Sequence, residues 1–366
     1  MAYIQTVFGT LEGLWRTSSE GAVEPLVLSG DAASGIPNMH FSVPGAPSTS
    51  RNGDLAFSST VRGSGLEQRE GVWVSIGAGD WQLVLCTGEA AAGVPGATYQ
   101  DVDRPDVNVQ RQTAFGVSLG PLADCDTLGG PCDAVYRGDP SGTEAMIVRT
   151  GASVEGTDPG AVFATSDPEV LINDFGMVAF KGTIFVPGAA GLEEKGAVFG
   201  PAGLGVRVHA RVGAQAAGLP AGVLYERLER PLLNNRGEVV FWAQLEPAVP
   251  FTPTKGGIFF ANAGGVVQPI LRSGDWIEVG GVAREISQIT TWSPSNNGSR
   301  RPFDDAGDFA FSVRFTGGGD AHLIGRVRRP PPACGLGAEI AIALSVVSLK
   351  RARARRARTG VASRTA

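Results

Sequence analysis

Apolar positions in this chain fall into short runs of period two, separated by clusters of glycine, proline, asparagine and aspartate. In the run from Glu238 to Leu245, Val239, Phe241, Ala243 and Leu245 occupy alternate positions, which places them on one face of a strand. Asn234-Asn235-Arg236-Gly237 precedes that run. Asparagine tolerates left-handed backbone angles and bonds its own backbone two residues on, and glycine takes positive φ without steric cost, so the tetrad is turn chemistry leading into a strand. No stretch before residue 333 carries a long helical period, so helix is expected to be scarce.

The turn and strand recur as N-x-x-G-x-x-A-F. Three copies are close: Asn173-x-x-Gly176-x-x-Ala179-Phe180, Asn234-x-x-Gly237-x-x-Val240-Phe241 and Asp304-x-x-Gly307-x-x-Ala310-Phe311. Two are looser, Ser50-x-x-Gly53-x-x-Ala56-Phe57 without the asparagine and Asn108-x-x-Arg111-x-x-Ala114-Phe115 without the glycine. Each is followed by an apolar triplet such as Gly71-Val72-Trp73 or Gly257-Ile258-Phe259, then by an apolar run closed by glycine, as in Leu83-Val84-Leu85 to Gly88. Copies start about 58 to 70 residues apart, too far for a helical hairpin and long enough for about four short strands. The expected fold is all-β: a β-propeller of five or six four-stranded blades over residues 1–327, with partial units at the two ends closing the ring. On this reading Asn173, Gly176, Phe180, Asn234, Gly237, Phe241, Asp304, Gly307 and Phe311 are structural.

Composition changes this picture little until the end of the chain. Gly 52 and Pro 24 approach the level of disordered segments, but the glycines sit at fixed places in a repeat and 43% of residues are hydrophobic, so they are read as turns. Seven cations from Lys350 onward, set against a net −5, leave −12 on the rest of the chain. So acidic a body argues against a nucleic-acid partner.

Candidate chemistry is sparse. Cys125 and Cys132 flank a Gly-Gly-Pro turn and are expected to form a local disulfide in an exported protein; a metal site using them with Asp124, Asp126 and Asp133 mixes soft and hard ligands and lacks histidine. Cys86 closes an apolar run and reads as a buried thiol. His40, His209 and His322 fall in different repeats, without the spacing of a zinc site, and no G-x-S-x-G, phosphate loop or dinucleotide fingerprint occurs. Asp101, Asp103 and Asp106 form one acidic loop and Asp304, Asp305 and Asp308 another. Such loops suit paired carboxylates cutting a glycosidic bond, or a structural Ca²⁺, although neither has the spacing of a calcium loop. No other cofactor is expected. Trp81, Trp242, Trp276 and Trp292 are read as packing residues rather than sugar platforms.

From residue 328 the composition shifts. Arg328-Arg329-Pro330-Pro331-Pro332-Ala333 is a stiff linker; Cys334-Gly335, an apolar segment from Leu336 to Leu349 interrupted by Glu339, and the arginine-rich end follow over residues 334–366. The segment is short for a bilayer span of about 20 residues and is expected to form a short hydrophobic helix with a basic tail kept cytoplasmic. This layout resembles C-terminal sorting signals of the MYXO-CTERM type, with Glu339 as a departure. That resemblance implies processing near Cys334 and Gly335 and anchoring at the cell surface or outer membrane. Residues 3–327 resemble the tandem-repeat surface proteins named for NxxGxxAF, which implies a surface protein and no particular activity. No signal peptide is visible at Met1, so the start is read as internal to a longer gene product. The expectation is a monomeric, non-enzymatic, surface-anchored scaffold for a protein or glycan partner. The alternative is a propeller enzyme on extracellular polysaccharide using Asp101, Asp103, Asp304 or Asp305.

Overall fold

The computed structural model describes residues 2–8, 11–17, 20–65, 67–77, 79–121, 125, 132–189, 191–246, 255–291 and 303–327. All named elements in it are strands, and they form six antiparallel sheets. The first sheet holds β1 (Ala2–Phe8), β2 (Leu11–Thr17) and β3 (Val23–Leu28). The second holds β4 (His40–Pro44), β5 (Ser48–Thr49), β6 (Leu55–Arg62), β7 (Gln68–Ser75) and β8 (Trp81–Cys86). The third holds β9 (Thr98–Val102), β10 (Asp106–Val107), β11 (Thr113–Gly120), β12 (Cys132–Gly138) and β13 (Glu144–Arg149). The fourth holds β14 (Val162–Ile172), β15 (Val178–Gly188), β16 (Gly191–Ala202) and β17 (Gly205–Arg211). The fifth holds β18 (Leu224–Leu228), β19 (Leu232–Leu233), β20 (Val239–Glu246), β21 (Lys255–Ala261) and β22 (Val267–Arg272). The sixth holds β23 (Trp276–Val279), β24 (Val282–Thr291), β25 (Asp308–Phe315) and β26 (Asp320–Arg326).

The repeat maps onto these sheets one to one. In sheets two to five an entering strand, usually split by a bulge, pairs with the A-F strand; the A-F strand pairs with the triplet strand, and the triplet strand with the outer apolar run. Register sets the motif phenylalanine opposite the last residue of the triplet: Phe57 opposite Trp73, Phe115 opposite Tyr136, Phe180 opposite Phe199 and Phe241 opposite Phe259. Phe180 and Phe199 stack at 4.6 Å and Phe241 and Phe259 at 5.5 Å between ring centroids.

Consecutive sheets pack face to face, and each of the five seams between them has its own apolar core. The A-F dipeptide serves two seams at once, because successive side chains point to opposite faces of a sheet. Ala114 lies in the core shared with the fourth sheet while Phe115 lies in the core shared with the second; Ala179 and Phe180 divide in the same way between the fifth sheet and the third. The large ring of one sheet therefore shares a core with the small residue of the sheet before it, Phe115 with Ala56 and Phe180 with Ala114. This large-to-small fit explains why alanine precedes phenylalanine in the motif.

The ends differ from the expected closure. Among the described residues no strand pairing joins the first and sixth sheets. The first already has its own triplet strand (β2) and outer strand (β3), and the sixth its own entering, A-F and triplet strands (β24, β25 and β26). Both ends carry a triplet strand, the first adds an outer strand and the sixth an entering strand, and the expected shared blade is not seen among the described residues. The linker 328–333 and the expected helix, basic tail and Cys334-Gly335 lie outside the described residues.

Candidate functional site

The motif turns build the first of two polar regions. Gly53, Gly176, Gly237 and Gly307 close these turns with φ of 86°, 76°, 73° and 93°. In each copy the first side chain accepts the backbone N–H groups that the turn exposes. Asn173 Oδ1 takes those of Phe175 and Met177, both at 3.0 Å, and Asn234 Oδ1 those of Arg236 and Glu238, at 3.0 and 3.1 Å. Serine and aspartate do the same in the outlying copies, Ser50 Oγ accepting from Asp54 N at 3.1 Å and Asp304 Oδ1 from Asp308 N at 2.8 Å.

The asparagines have a second task. Asn108 Nδ2 donates to Asn173 O at 2.9 Å, Asn173 Nδ2 to Asn234 O at 3.0 Å, and Asn234 Nδ2 to Asp304 O at 3.2 Å. One amide thus closes its own turn with its oxygen and clasps the next repeat with its nitrogen. All three asparagines are buried. A parallel line runs one residue further on, with Asp174 N donating to Asn235 Oδ1 at 2.9 Å and Asn235 N to Asp305 Oδ1 at 2.7 Å. Aspartate suffices at Asp304 because no later described copy follows it. Serine at position 50 has no amide to offer, and there the link to the third sheet is an ion pair, Arg111 Nε to Asp54 Oδ1 at 2.9 Å. Arg111 stands where the other copies have glycine and takes the same left-handed turn, φ 62°. Arg51 reaches from the second sheet to Asp174 in the fourth, so the turns converge on one locus.

The second region lies on the seam between sheets two and three. Glu70, on β7, lies beside Asp101, on β9, whose Oδ1 accepts the Val102 N–H at 2.9 Å. Burial first, then the bond and charge of Asp101, push its carboxyl up to about 7. Asp103 is pushed up to about 6 by burial and by the charges of Asp101, Asp133 and Asp167. Its carboxylate and the Ser166 hydroxyl close over Gly116, where a Cβ would sit 2.4 Å from Asp103 Oδ2 and 2.8 Å from Ser166 Oγ. Lys181, paired with Asp167 at 3.2 Å, sits at the rim of the cluster.

The remaining acidic positions go to structure. Asp106 accepts the Ile172 N–H at 2.9 Å, Asp305 is held by Asn235, and Asp308 forms a two-toothed pair with Arg326. The carboxylates proposed for catalysis therefore separate: Asp101 lies beside both Glu70 and Asp103, while Asp304 and Asp305 are bound into the turn chain. Among the described residues no group of three or more histidine, cysteine, aspartate or glutamate side chains is arranged to hold a metal ion. Cys125 and Cys132 are disulfide-bonded, with Cα atoms 5.3 Å apart. Cys86 is a buried free thiol, raised to about 11 chiefly by burial, and so is protonated near neutrality. The histidines stay apart: His40 Nδ1 bonds Gly30 O, His322 Nδ1 bonds Ser312 Oγ, and His209 lies against Gly200 and Val239. Burial and then the Arg207 charge lower His209 to about 4. Trp81 packs edge-on against Phe57 and Trp242 lies under Arg227; Trp276 is exposed, and Trp292 falls outside the described residues.

Two further polar features were not read from the sequence. Glu70 could not be tied to Asp101, because that pairing depends on which strands meet at a seam. The hydroxyls of Thr87, Thr150 and Ser273, each before the closing glycine, accept the N–H of Glu70, Asp133 and Gly256 at 2.9, 2.9 and 3.3 Å. A signal for these was present, since serine or threonine precedes that glycine in four copies.

Residues 4–89 and 71–321 match, in two overlapping segments, the profile of a family of unknown function, DUF7453. The chain belongs to the DUF7453 family. The two segments overlap at residues 71–89. No curated protein matches the chain. Solved structures of similar shape include a protein of unknown function from Dyadobacter fermentans DSM 18053, at 10% identity and TM-score 0.32, covering 80% of this chain and 84% of that one. Another is a Penicillium chrysogenum alpha-L-arabinanase complexed with arabinobiose, at 13% identity and TM-score 0.31, covering 81% and 79%. A third is a hypothetical protein from Leishmania major, at 10% identity and TM-score 0.23, covering 80% and 87%. At these scores the likeness carries no functional weight for this DUF7453 chain.

Proposed function

We propose that this chain is a non-enzymatic repeat scaffold, its sheets set radially as propeller blades, exported and held at the cell surface or outer membrane through residues 334–366, and that it binds a protein or glycan partner through one face as a monomer. The observation that carries the reading is the unbroken chain of asparagine clasps from Asn108 to Asp304, which draws successive turns to one locus and uses polar residues for rigidity. The Arg51 to Asp174 contact supports the radial arrangement, because it bridges sheets that are not neighbours in sequence. The Cys125–Cys132 disulfide supports an oxidising compartment. Resemblance of the tail to processed sorting signals supplies the address. Mass spectrometry of the mature C-terminus in fractionated cells tests it: a chain ending near Cys334 in the envelope is expected, and an intact Ala366 in the cytosol overturns the export and anchoring.

A second reading has one observation in its favour. Glu70 lies beside Asp101 with its carboxyl held up to about 7, and a proton-bearing carboxyl near neutrality is what the acid of glycoside cleavage needs. On that reading Glu70 is the acid and Asp101 or Asp103 its partner. Release of reducing ends from an extracellular polysaccharide, lost in both Glu70→Gln and Asp101→Asn, would establish the enzyme and remove the scaffold.

A further inference from the structure

The side chain of the third residue of each motif turn takes no part in the turn's own bonding, and the copies hold Asn52, Gln110, Phe175, Arg236 and Ala306 there. Phe175 is the outlier. It is 66% exposed, the joint highest value among the large exposed apolar residues, although a polar or small residue serves the same position elsewhere. Its backbone is nevertheless among the most firmly held: Asn173 Oδ1 accepts its N–H, and the following Gly176 carbonyl accepts from Arg137 Nη1 at 3.0 Å. Asp174 before it is bound by Arg51 and by Asn235. The ring is therefore offered to solvent from a fixed platform, which lowers the ordering cost of binding.

The clasp bonds also fix the neighbours of that ring. The third sheet's turn, with Gln110, lies on one side and the fifth sheet's turn, with Arg236, on the other, since Asn108 and Asn173 each clasp the next turn. Arg236 is exposed and gives its Nε to the Asp305 carbonyl at 3.1 Å. Among the described residues no carboxylate forms an ion pair with it. Asn52 and the exposed side of Arg51 complete the surroundings.

From this we infer that the motif-turn face around Phe175 binds an acidic polysaccharide, one sugar ring lying on the phenyl face and a uronate carboxylate meeting Arg236. The inference rests on the scaffold reading and names its ligand class and its face. The patch is one aromatic ring among amides and guanidinium groups, with the Asp174 carboxylate tied to Arg51 and Asn235 and that of Asp305 to Asn235, which leaves Arg236 as its unpaired charge among the described residues and fits a sugar unit. A protein interface of about 800 Å² per partner needs a contiguous apolar centre, which this face lacks. Guanidinium matches a carboxylate in shape as well as charge. The full chain carries −5 with seven cations gathered from Lys350 onward, so loss of retention in the Phe175 and Arg236 variants, rather than retention itself, reports the local site.

Affinity electrophoresis of the folded full-length chain through gels containing polygalacturonate, with dextran as the neutral control, tests the assignment. Polygalacturonate is expected to retard the wild-type chain and dextran not; Phe175→Ala should weaken the apparent affinity about tenfold, as for loss of a central anchor. Arg236→Gln should weaken it about threefold and reduce its dependence on salt. Because both side chains are exposed, the variants should keep the wild-type unfolding midpoint. Equal retardation by dextran overturns the role of the carboxylate, and undiminished retardation of Phe175→Ala overturns the site. No retardation by polygalacturonate overturns the glycan class while leaving the scaffold reading to its own turnover and localisation tests. Retardation by polyglutamate matching that by polygalacturonate reassigns the face to an acidic protein and likewise overturns the inference.

Discussion

Asn173 and Glu70 are both polar side chains set where neighbouring sheets meet, and they are treated in opposite ways. Asn173 is fully buried with each of its polar atoms bonded: the oxygen to two N–H groups of its own turn, the nitrogen to a carbonyl of the next. Glu70 is partly buried beside Asp101, and its carboxyl is raised first because burial disfavours its charge and then because ionising it would place two like charges together. The asparagine arrangement recurs from sheet to sheet, whereas the positions equivalent to Asp101 hold Val43, Thr165, Arg227 and Gln288. What the repeat preserves is scaffold, and what departs from it locally is where chemistry or recognition can reside.

The comparison is broken most directly at Asn173. Replacing it by alanine leaves the Phe175 and Met177 N–H groups and the Asn234 carbonyl without that partner in a dry seam, a loss of about 3 kcal/mol by the cost of unsatisfied buried groups. Urea unfolding should show the midpoint falling with an unchanged slope. Asn173→Asp keeps the turn bonds but turns a buried carboxylate oxygen toward the Asn234 carbonyl, so near neutral pH it should cost at least as much. A loss under about 1 kcal/mol for Asn173→Ala would mean that the clasp is incidental.

How much of this was legible before the structure follows from the same distinction. Asn234-x-x-Gly237 could be read as a turn and Val239 to Leu245 as a strand because both depend on neighbours in sequence. The four-strand unit followed from spacing. The clasp was not legible, because Asn173 and Asn234 look equally well explained as local turn formers; the bond between them needs the sheets to be stacked. Nor was the partition of Asp101, Asp103, Asp304 and Asp305, since all four are acidic loop residues in sequence and only the seam separates the strained pair from the structural one. The shared closing blade was open in the same way: two partial units suggest completion, but their pairing depends on contacts between the ends, and none is seen among the described residues.

Glu70 supplies the next test, in which the sign of the pH dependence separates the two regions. Its pKa is raised in the fold from 4.5 to about 7, so the folded chain holds a proton that the unfolded chain releases. Its favourable contribution is complete below about pH 4.5 and is lost as the pH rises through about 7. Asp103 acts in the same sense up to about 6. His209 opposes them: lowered from 6.5 to about 4, it stabilises above about 6.5 and loses that stabilisation as the pH falls through about 4. Glu70→Gln should therefore raise stability by about 1 kcal/mol at pH 8, discounted for its partial exposure, and leave it unchanged near pH 4. A variant less stable than wild type at pH 8 would show that Glu70 belongs to the scaffold.

The smallest effect is expected at the one clasp the repeat lacks, and it is the most specific. Arg111 adopts φ 62° where other copies use glycine, and its side chain supplies the ion pair with Asp54 and a bond to the Ile76 carbonyl. Arg111→Gly relieves about 1 kcal/mol of left-handed strain and removes a half-exposed ion pair worth about 0.2–1 kcal/mol, so the two nearly cancel. Ser50→Asn on its own adds an amide where Arg111 already ties the second sheet to the third, and should gain little. In the Arg111→Gly background the same change supplies the only clasp between those sheets' turns, and should gain about 1 kcal/mol, the net value of one buried hydrogen bond. A double-mutant cycle on thermal unfolding reads the difference between the two backgrounds directly. If Ser50→Asn gains the same in both, the arginine does not substitute for the missing amide, and the ion pair is a surface contact unrelated to the chain that runs from Asn108 to Asp304.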